Sequence, residues 1–376
     1  MPFRQQIDRT PTASQKWAKY AGTDILPMWV ADMDFQSPPS VIAALHERVA
    51  HGVFGYTDPP ASLIEAFIDY ASRVYRWQVD PAWIVWLPGL VQGLNIACRA
   101  IGEPGDAVLT FTPVYPKFLH APPLGERELI TVPLHQHADG QWRWDVAELE
   151  AAITPRTRLL MLCHPHNPVG RIWSDDELRQ LIDVARRHDL IICSDEIHCD
   201  LLLDEGTQHT PLASLDPDFA SRTITLLAPS KTWNIAGLGC ALAVVPDAAL
   251  RNRLRRSTLG LTPAVNLLGY TAAEAAYRDD GIWHAGLIAT LRENRALLRD
   301  WFAQSSRLKI TIPQATYLAW IDARAIDAEN PLPVFEAHGV GLSDGRDFGT
   351  PGFLRLNFGC PTNLLQEALN RLEPLR

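Results

Sequence analysis

Three short apolar runs, each closed by a polar residue and a turn, constrain this chain more than anything else in it. Residues 158–162 (RLLML) lead into Cys163-His164-Pro165-His166-Asn167-Pro168-Val169-Gly170-Arg171. Residues 190–192 (LII) lead through Cys193 and Ser194 into Asp195, Glu196, Ile197 and His198. Residues 223–227 (TITLL) lead into Ala228-Pro229-Ser230-Lys231. Runs of this length, apolar and rich in branched side chains, read as strands buried on both faces. Asn167, Asp195 and Lys231 then fall at the carboxyl ends of three strands. Asp195 follows Asn167 by 28 residues and Lys231 follows Asp195 by 36, room in each case for the crossover that parallel pairing requires. In an open parallel sheet, that edge is where ligands bind. An ammonium at the mouth of a buried strand is also costly unless it is paired or used covalently. Lysine is scarce here, arginine making up most of the 34 basic residues, so Lys231 stands out.

Asn-Pro-x-Gly, a strand-end Asp and Ser-Lys, in that order and at those offsets, resemble the fold-type I pyridoxal 5′-phosphate (PLP) enzymes, the aspartate aminotransferase superfamily. The resemblance implies an α/β, aspartate aminotransferase-like fold (the PLP-dependent transferase fold). Residues 48–285 would form a large cofactor-binding domain around a mostly parallel seven-stranded sheet. Residues 1–47 and 286–376 would form a smaller α+β domain. It implies that Lys231 holds the cofactor aldehyde as a Schiff base and moves the substrate Cα proton. Asp195 would keep the pyridine nitrogen protonated, so that the ring acts as an electron sink, and Asn167 would hydrogen-bond the ring's phenolic oxygen.

Further segments resemble one branch, the PatB/MalY-type cystathionine β-lyases, or C–S lyases. The stretch Ile25-Leu26-Pro27-Met28-Trp29-Val30-Ala31-Asp32-Met33-Asp34-Phe35 implies that Trp29, Val30 and Ala31 line the substrate side, with backbone groups near the substrate carboxylate. Gly55-Tyr56-Thr57-Asp58-Pro59-Pro60 implies that Tyr56 reaches the cofactor phosphate of the neighbouring subunit, hence a homodimer with shared active sites. Residues 85–95 (VWLPGLVQGLN) read as strand, Gly-containing turn and helix start, where free amides and the helix dipole suit a phosphate. In register with Lys231 this becomes the PLP phosphate site, with the amides of Val91 and Gln92, and Ser230 serving the same group. Tyr115, after the run 108–112 (VLTFT), is implied to stack on the pyridine ring. Arg355 lies in the alternating run 353–361 (FLRLNFGCP); a planar guanidinium suits an α-carboxylate, and the resemblance assigns it that role.

Two departures favour the lyase branch. His198 replaces the tyrosine that many aminotransferases place three residues after the aspartate, and is expected beside the cofactor. Gly239 stands eight residues after Lys231, where many keep a phosphate-binding arginine, and Ala228 replaces a serine or threonine. The implied reaction is β-elimination from L-cystathionine or an S-substituted L-cysteine, a step of the kind used in methionine biosynthesis. The products would be a thiol (homocysteine from cystathionine), pyruvate and ammonia. The competing reading is a class I/II aminotransferase acting on an L-amino acid. A third is regulatory binding of a partner protein, against which the intact Lys231, Asp195 and Asn167 set weighs.

Composition sets compatible limits. A 47% hydrophobic and 20% charged chain of 376 residues has ample core for two domains. A net charge of −9 argues against nucleic-acid or anionic-membrane partners, and leaves a small amino-acid substrate. Six cysteines without a C-x-x-C pair are read as reduced and buried, hence cytoplasmic, and neither a signal peptide nor a membrane span is discerned. Cys163, His164, His166, His198 and Cys199 invite a zinc site, but the turn already serves Asn167 and no tetrahedral spacing recurs; no metal is expected. Residues 1–24 are expected to be a polar arm. Helices are expected over 145–153, 175–188 and the region 263–302. Residues 310–312 and 315–322 should form antiparallel strands, and 341–349 a loop.

Overall fold

The computed structural model describes residues 3–376. Seven strands form the main sheet: β1 (Ile84–Leu87), β2 (Ala107–Thr112), β3 (Glu128–Pro133), β4 (Thr157–Cys163), β5 (Ile191–Asp195), β6 (Thr223–Leu227) and β7 (Ala241–Val244). Their spatial order is β1-β7-β6-β5-β4-β2-β3. Only β7 runs antiparallel to its neighbours; the remaining pairs are parallel.

The strand pleat sorts side chains to two cores. On β4, Leu159, Met161 and Cys163 pack with Leu90, Leu94 and Ala97 of helix α1 (Leu90–Ala100). Leu160 and Leu162 face the other way, onto Leu178, Leu181 and Ile182 of helix α2 (Asp175–Arg187). Helix α2 begins as its acidic first turn leads one to expect. Ser174 accepts from the Glu177 amide and the Glu177 carboxylate accepts from the Ser174 amide, a reciprocal cap. Helix α1 lies close to the sheet because Gly93 has no side chain: a Cβ there would sit 3.1 Å from Leu87 and 3.2 Å from Leu226. That closeness brings the start of α1 to the carboxyl edge of the strands.

A second, antiparallel sheet is built from β8 (Lys309–Thr311), β9 (Leu318–Asp322), β10 (Ser343–Asp344) and β11 (Phe353–Asn357), in the order β8-β9-β11-β10. Arg355 lies within β11, with Trp320 opposite on one side and Ser343 on the other. Three expectations change. The loop expected over 341–349 contains β10 and a 3-10 turn, Gly345–Phe348. The helical region divides into Leu267–Tyr277 and helix α3 (Ile282–Phe302), broken at Gly281 with φ 81°. The polar arm is docked rather than free. Phe3 packs against Phe35 and Trp283, and Lys16 and Arg9 both pair with the buried Asp34 carboxylate. A buried carboxylate needs cations, and the N-terminal segment supplies them. Among the described residues no helix is long and apolar enough to cross a membrane, and all six cysteines are unpaired and buried.

Candidate active site

Loops at the carboxyl edge of β1, β2, β4, β5 and β6 enclose a cavity of about 570 Å³ together with residues of the second sheet and the N-terminal segment. Asp195 is the last residue of β5, and its Oδ1 accepts from the Ile197 amide at 3.1 Å. Burial pushes its carboxyl up to about 7, Glu196 adds to this, and Lys231 opposes it. No cation lies within salt-bridge distance of Asp195 among the described residues. The next residue, Glu196, points away by strand alternation and is occupied by His209 (2.7 Å), Ser194 (2.8 Å) and the Leu212 amide (3.1 Å). The pleat thus separates two adjacent carboxylates into one site group and one core group.

Lys231 sits in the turn after β6. Asn234 ties this turn to the N-terminal segment, donating to the carbonyls of Met33 (3.0 Å) and Phe35 (2.8 Å) and accepting from the Met33 amide (3.0 Å). Its φ of 54° is left-handed backbone that asparagine tolerates better than most residues. Lys231 Nζ donates to the Ala31 carbonyl at 2.6 Å. Burial lowers the amine to about 8, with Asp32 pulling it up and Arg355 adding to the depression. A substantial fraction is therefore neutral near physiological pH, as a nucleophile or base requires.

Arg355 is buried, and burial lowers it to about 10. Its Nη1 donates to Asn167 Oδ1 at 3.1 Å, and its Nη2 to the Trp29 carbonyl at 2.8 Å and Ser343 Oγ at 3.3 Å. Its guanidinium carbon lies 4.8 Å from the centre of the Phe348 ring. Asn167 is placed by the turn after β4. That turn needs Gly170, whose φ is 67° and whose Cβ, if present, would lie 2.3 Å from Pro313. Tyr115 precedes helix Pro116–Leu124 and lines the cavity, its hydroxyl pushed upward by burial. His198 also lines the cavity. Burial lowers it to about 3, so it is neutral, and its Nδ1 has no partner among the described residues.

Val91 and Gln92 lie in the first turn of α1, where the opening amides have no intrahelical acceptor. Ser230 and Gly239 line the same cavity. Gly239 has φ 61°, and a Cβ there would approach the Pro88 carbonyl to 3.0 Å.

Every expected site residue except Tyr56 lines this one cavity; Tyr56 is fully exposed and outside it. Trp29, Val30 and Ala31 contribute backbone acceptors. Their carbonyls accept from Arg355, Asn357 and Lys231, so they hold the Arg355 and Lys231 side chains of the site. Gln15, Lys117, Ser343, Asp347 and Phe348 also line the cavity and were not singled out from the sequence. Gln15 belongs to the segment read as an arm, Ser343 to Phe348 to the segment read as a loop, and a lone Lys117 carries no motif.

The groups present fit PLP. A buried carboxylate without a cation suits a protonated ring nitrogen, free helix amides suit a phosphate, and an amine near its midpoint suits an aldehyde.

Residues 23–372 match the family model for aminotransferase class I and II. The chain is 39% identical to cystathionine β-lyase PatB of Bacillus subtilis, over 99% of both chains. Its backbone resembles the crystal structure of OvoB with a TM-score of 0.97 and 44% identity, covering 100% of this chain and 98% of that one. It also resembles cystalysin from Treponema denticola, a structure that contains pyridoxal 5′-phosphate, with a TM-score of 0.95 and 33% identity over 100% of this chain and 99% of that one.

Proposed function

Because the chain belongs to the PatB/MalY-type cystathionine β-lyase branch of the class I and II aminotransferase family, we propose that it is a PLP-dependent carbon–sulfur lyase acting on L-cystathionine or S-substituted L-cysteines. It breaks the Cβ–S bond by β-elimination. The thiol leaves, and hydrolysis of the released enamine gives pyruvate and ammonia. The observation that carries this reading is one cavity holding the Lys231 amine, the unpaired Asp195 carboxylate and the start of α1.

When bound, PLP supplies an aldehyde that captures an amine and a ring that accepts the electron pair freed at Cα. The protein's residues do the rest. Lys231 holds the cofactor at rest and carries the Cα proton during turnover. Asp195, a buried carboxylate without a protein cation among the described residues, would keep the proton on the ring nitrogen. Asn167 would hydrogen-bond the phenolic oxygen and Tyr115 would pack on the ring. His198, neutral, would offer its unpartnered Nδ1 to the same cavity. Val91, Gln92 and Ser230 would hold the phosphate. Arg355, oriented by Asn167, the Trp29 carbonyl and Ser343, binds the substrate carboxylate.

Two further parts belong to this reading. Residues 48–285 act as the large domain and 1–47 with 286–376 as the small one. The enzyme works in the cytoplasm as a homodimer in which Tyr56 of the partner subunit completes each phosphate site, consistent with an exposed Tyr56 outside its own cavity.

A transaminase would share Lys231, Asp195 and Asn167. The left-handed Gly239, packed against the Pro88 carbonyl where many transaminases have an arginine, favours the lyase. The test is purified protein with PLP and L-cystathionine and no keto acid. Pyruvate and thiol released in equal amounts are expected. Turnover only after a keto acid is added would identify a transaminase instead.

A further inference from the structure

The mouth of the cavity carries three polar side chains that the chemistry above leaves unused. Gln15 comes from the docked N-terminal segment, Lys117 from helix Pro116–Leu124, and Asp347 from the 3-10 turn Gly345–Phe348. All three are exposed. None makes a side-chain hydrogen bond or ion pair with any described residue. Their neighbours on two of these segments are matched, Lys16 with Asp34 and Arg346 with Asp344. A cation, an anion and an amide, none in a side-chain hydrogen bond or ion pair, thus line one cavity from three separate elements, with Arg346 near Asp347 but paired to Asp344.

Resting on the lyase reading, we propose that Lys117, Asp347 and Gln15 form a distal subsite that selects thio-substrates carrying a second α-amino-acid group. In this proposal Lys231 and the buried Arg355 hold the reacting amino acid, and the leaving thiol projects toward the exposed Lys117, Asp347 and Gln15. A leaving group ending in an ammonium and a carboxylate meets both charges there: the carboxylate pairs with Lys117, the ammonium with Asp347, and the Gln15 amide can bond to either. L-cystathionine has such a group and S-methyl-L-cysteine does not. Partly solvated charge pairs of this kind are modest in strength, so the subsite sets preference and leaves the elimination itself unchanged.

The experiment compares L-cystathionine with S-methyl-L-cysteine for the holoenzyme and its Lys117→Ala and Asp347→Asn variants, measuring pyruvate release. Alongside, calorimetry measures binding of 2,6-diaminopimelate, which has both amino-acid ends and no thiol to lose, against L-2-aminobutyrate. Each variant is expected to lower kcat/KM for L-cystathionine by about fivefold to tenfold, mainly through KM, with the short substrate changed less than about twofold. Affinity for 2,6-diaminopimelate should fall in parallel, while L-2-aminobutyrate is unaffected. Equal losses for long and short compounds, or none for either, would overturn the subsite. Failure of the wild-type protein to release pyruvate from both thio-compounds would overturn the lyase reading alone, and the binding comparison would still decide the subsite.

Discussion

Lys231 and Ala31, 200 residues apart in the chain, meet in a 2.6 Å hydrogen bond from Nζ to the carbonyl oxygen. The same carbonyl accepts from the Tyr317 hydroxyl at 3.0 Å. It is therefore fixed by a residue just ahead of β9 in the second sheet, while the amine it holds sits in the turn after β6 of the first.

Capture of the cofactor should follow the ionisation of that amine. Only neutral Lys231 attacks an aldehyde, and burial has lowered the group to about 8. As pH rises toward that value the neutral fraction grows. The rate at which cofactor-free protein acquires visible absorbance on PLP addition should climb roughly tenfold per pH unit well below it and level off above it. A rate still climbing steeply between about pH 9 and 10 would place the amine in the ordinary lysine range and refute the account.

Arg355→Ala removes the guanidinium proposed to bind the substrate carboxylate, leaves Asn167 Oδ1 without its donor and leaves the Trp29 carbonyl with Ser343 Oγ alone. Loss of a buried, charge-assisted contact of about 2–3 kcal/mol predicts a fall in kcat/KM of roughly a hundredfold, expressed mostly in KM. Arg355→Lys should recover only part, because an ammonium lacks the planar fork. An unchanged KM in the alanine variant would remove Arg355 from the substrate site.

Gly170→Ala tests the turn that presents Asn167. The new Cβ would meet Pro313 at 2.3 Å, and the backbone at φ 67° disfavours any side chain. Strain and displacement together should cost about 2–3 kcal/mol, read as a lower urea midpoint with weakened PLP affinity. An unaltered midpoint would mean that the turn relaxes freely.

Complementation tests the role of Tyr56. Lys231→Ala protein and Tyr56→Ala protein, each impaired alone, are unfolded together and refolded as a mixture. Sites shared between subunits predict that mixed dimers contain one intact site, restoring about a quarter of wild-type activity at random pairing. No recovery above the two parent proteins, in a mixture shown by sedimentation to be dimeric, would confine each site to one chain.

Residues that act from strand ends are legible in the chain's local pattern. Asn167, Asp195 and Lys231 each follow an apolar run, and the pleat and crossover geometry of a parallel sheet leave such residues one edge to occupy. Helix α2 is legible through its acidic start. Less is visible where function depends on loops brought together from afar. The segment over 341–349 looks polar and irregular, yet it contributes Ser343, Asp347 and Phe348 to the cavity. The N-terminal segment looks like an arm because its partners lie elsewhere: Phe3 rests on Trp283.

Periodicity and strand-end position are local properties, so the mostly parallel sheet and the identity of the chemical groups can be read from the chain alone. Tertiary structure alone decided that Asp195 faces the site without a cation while Glu196 is held by hydrogen bonds in the core, and that backbone carbonyls of Trp29 and Ala31 hold Arg355 and Lys231. It also decided that Gln15, Lys117 and Asp347 share one opening. These are contacts between segments tens to hundreds of residues apart, and burial, which sets the ionisation of Lys231, Asp195 and Arg355, exists only once those segments have closed around them.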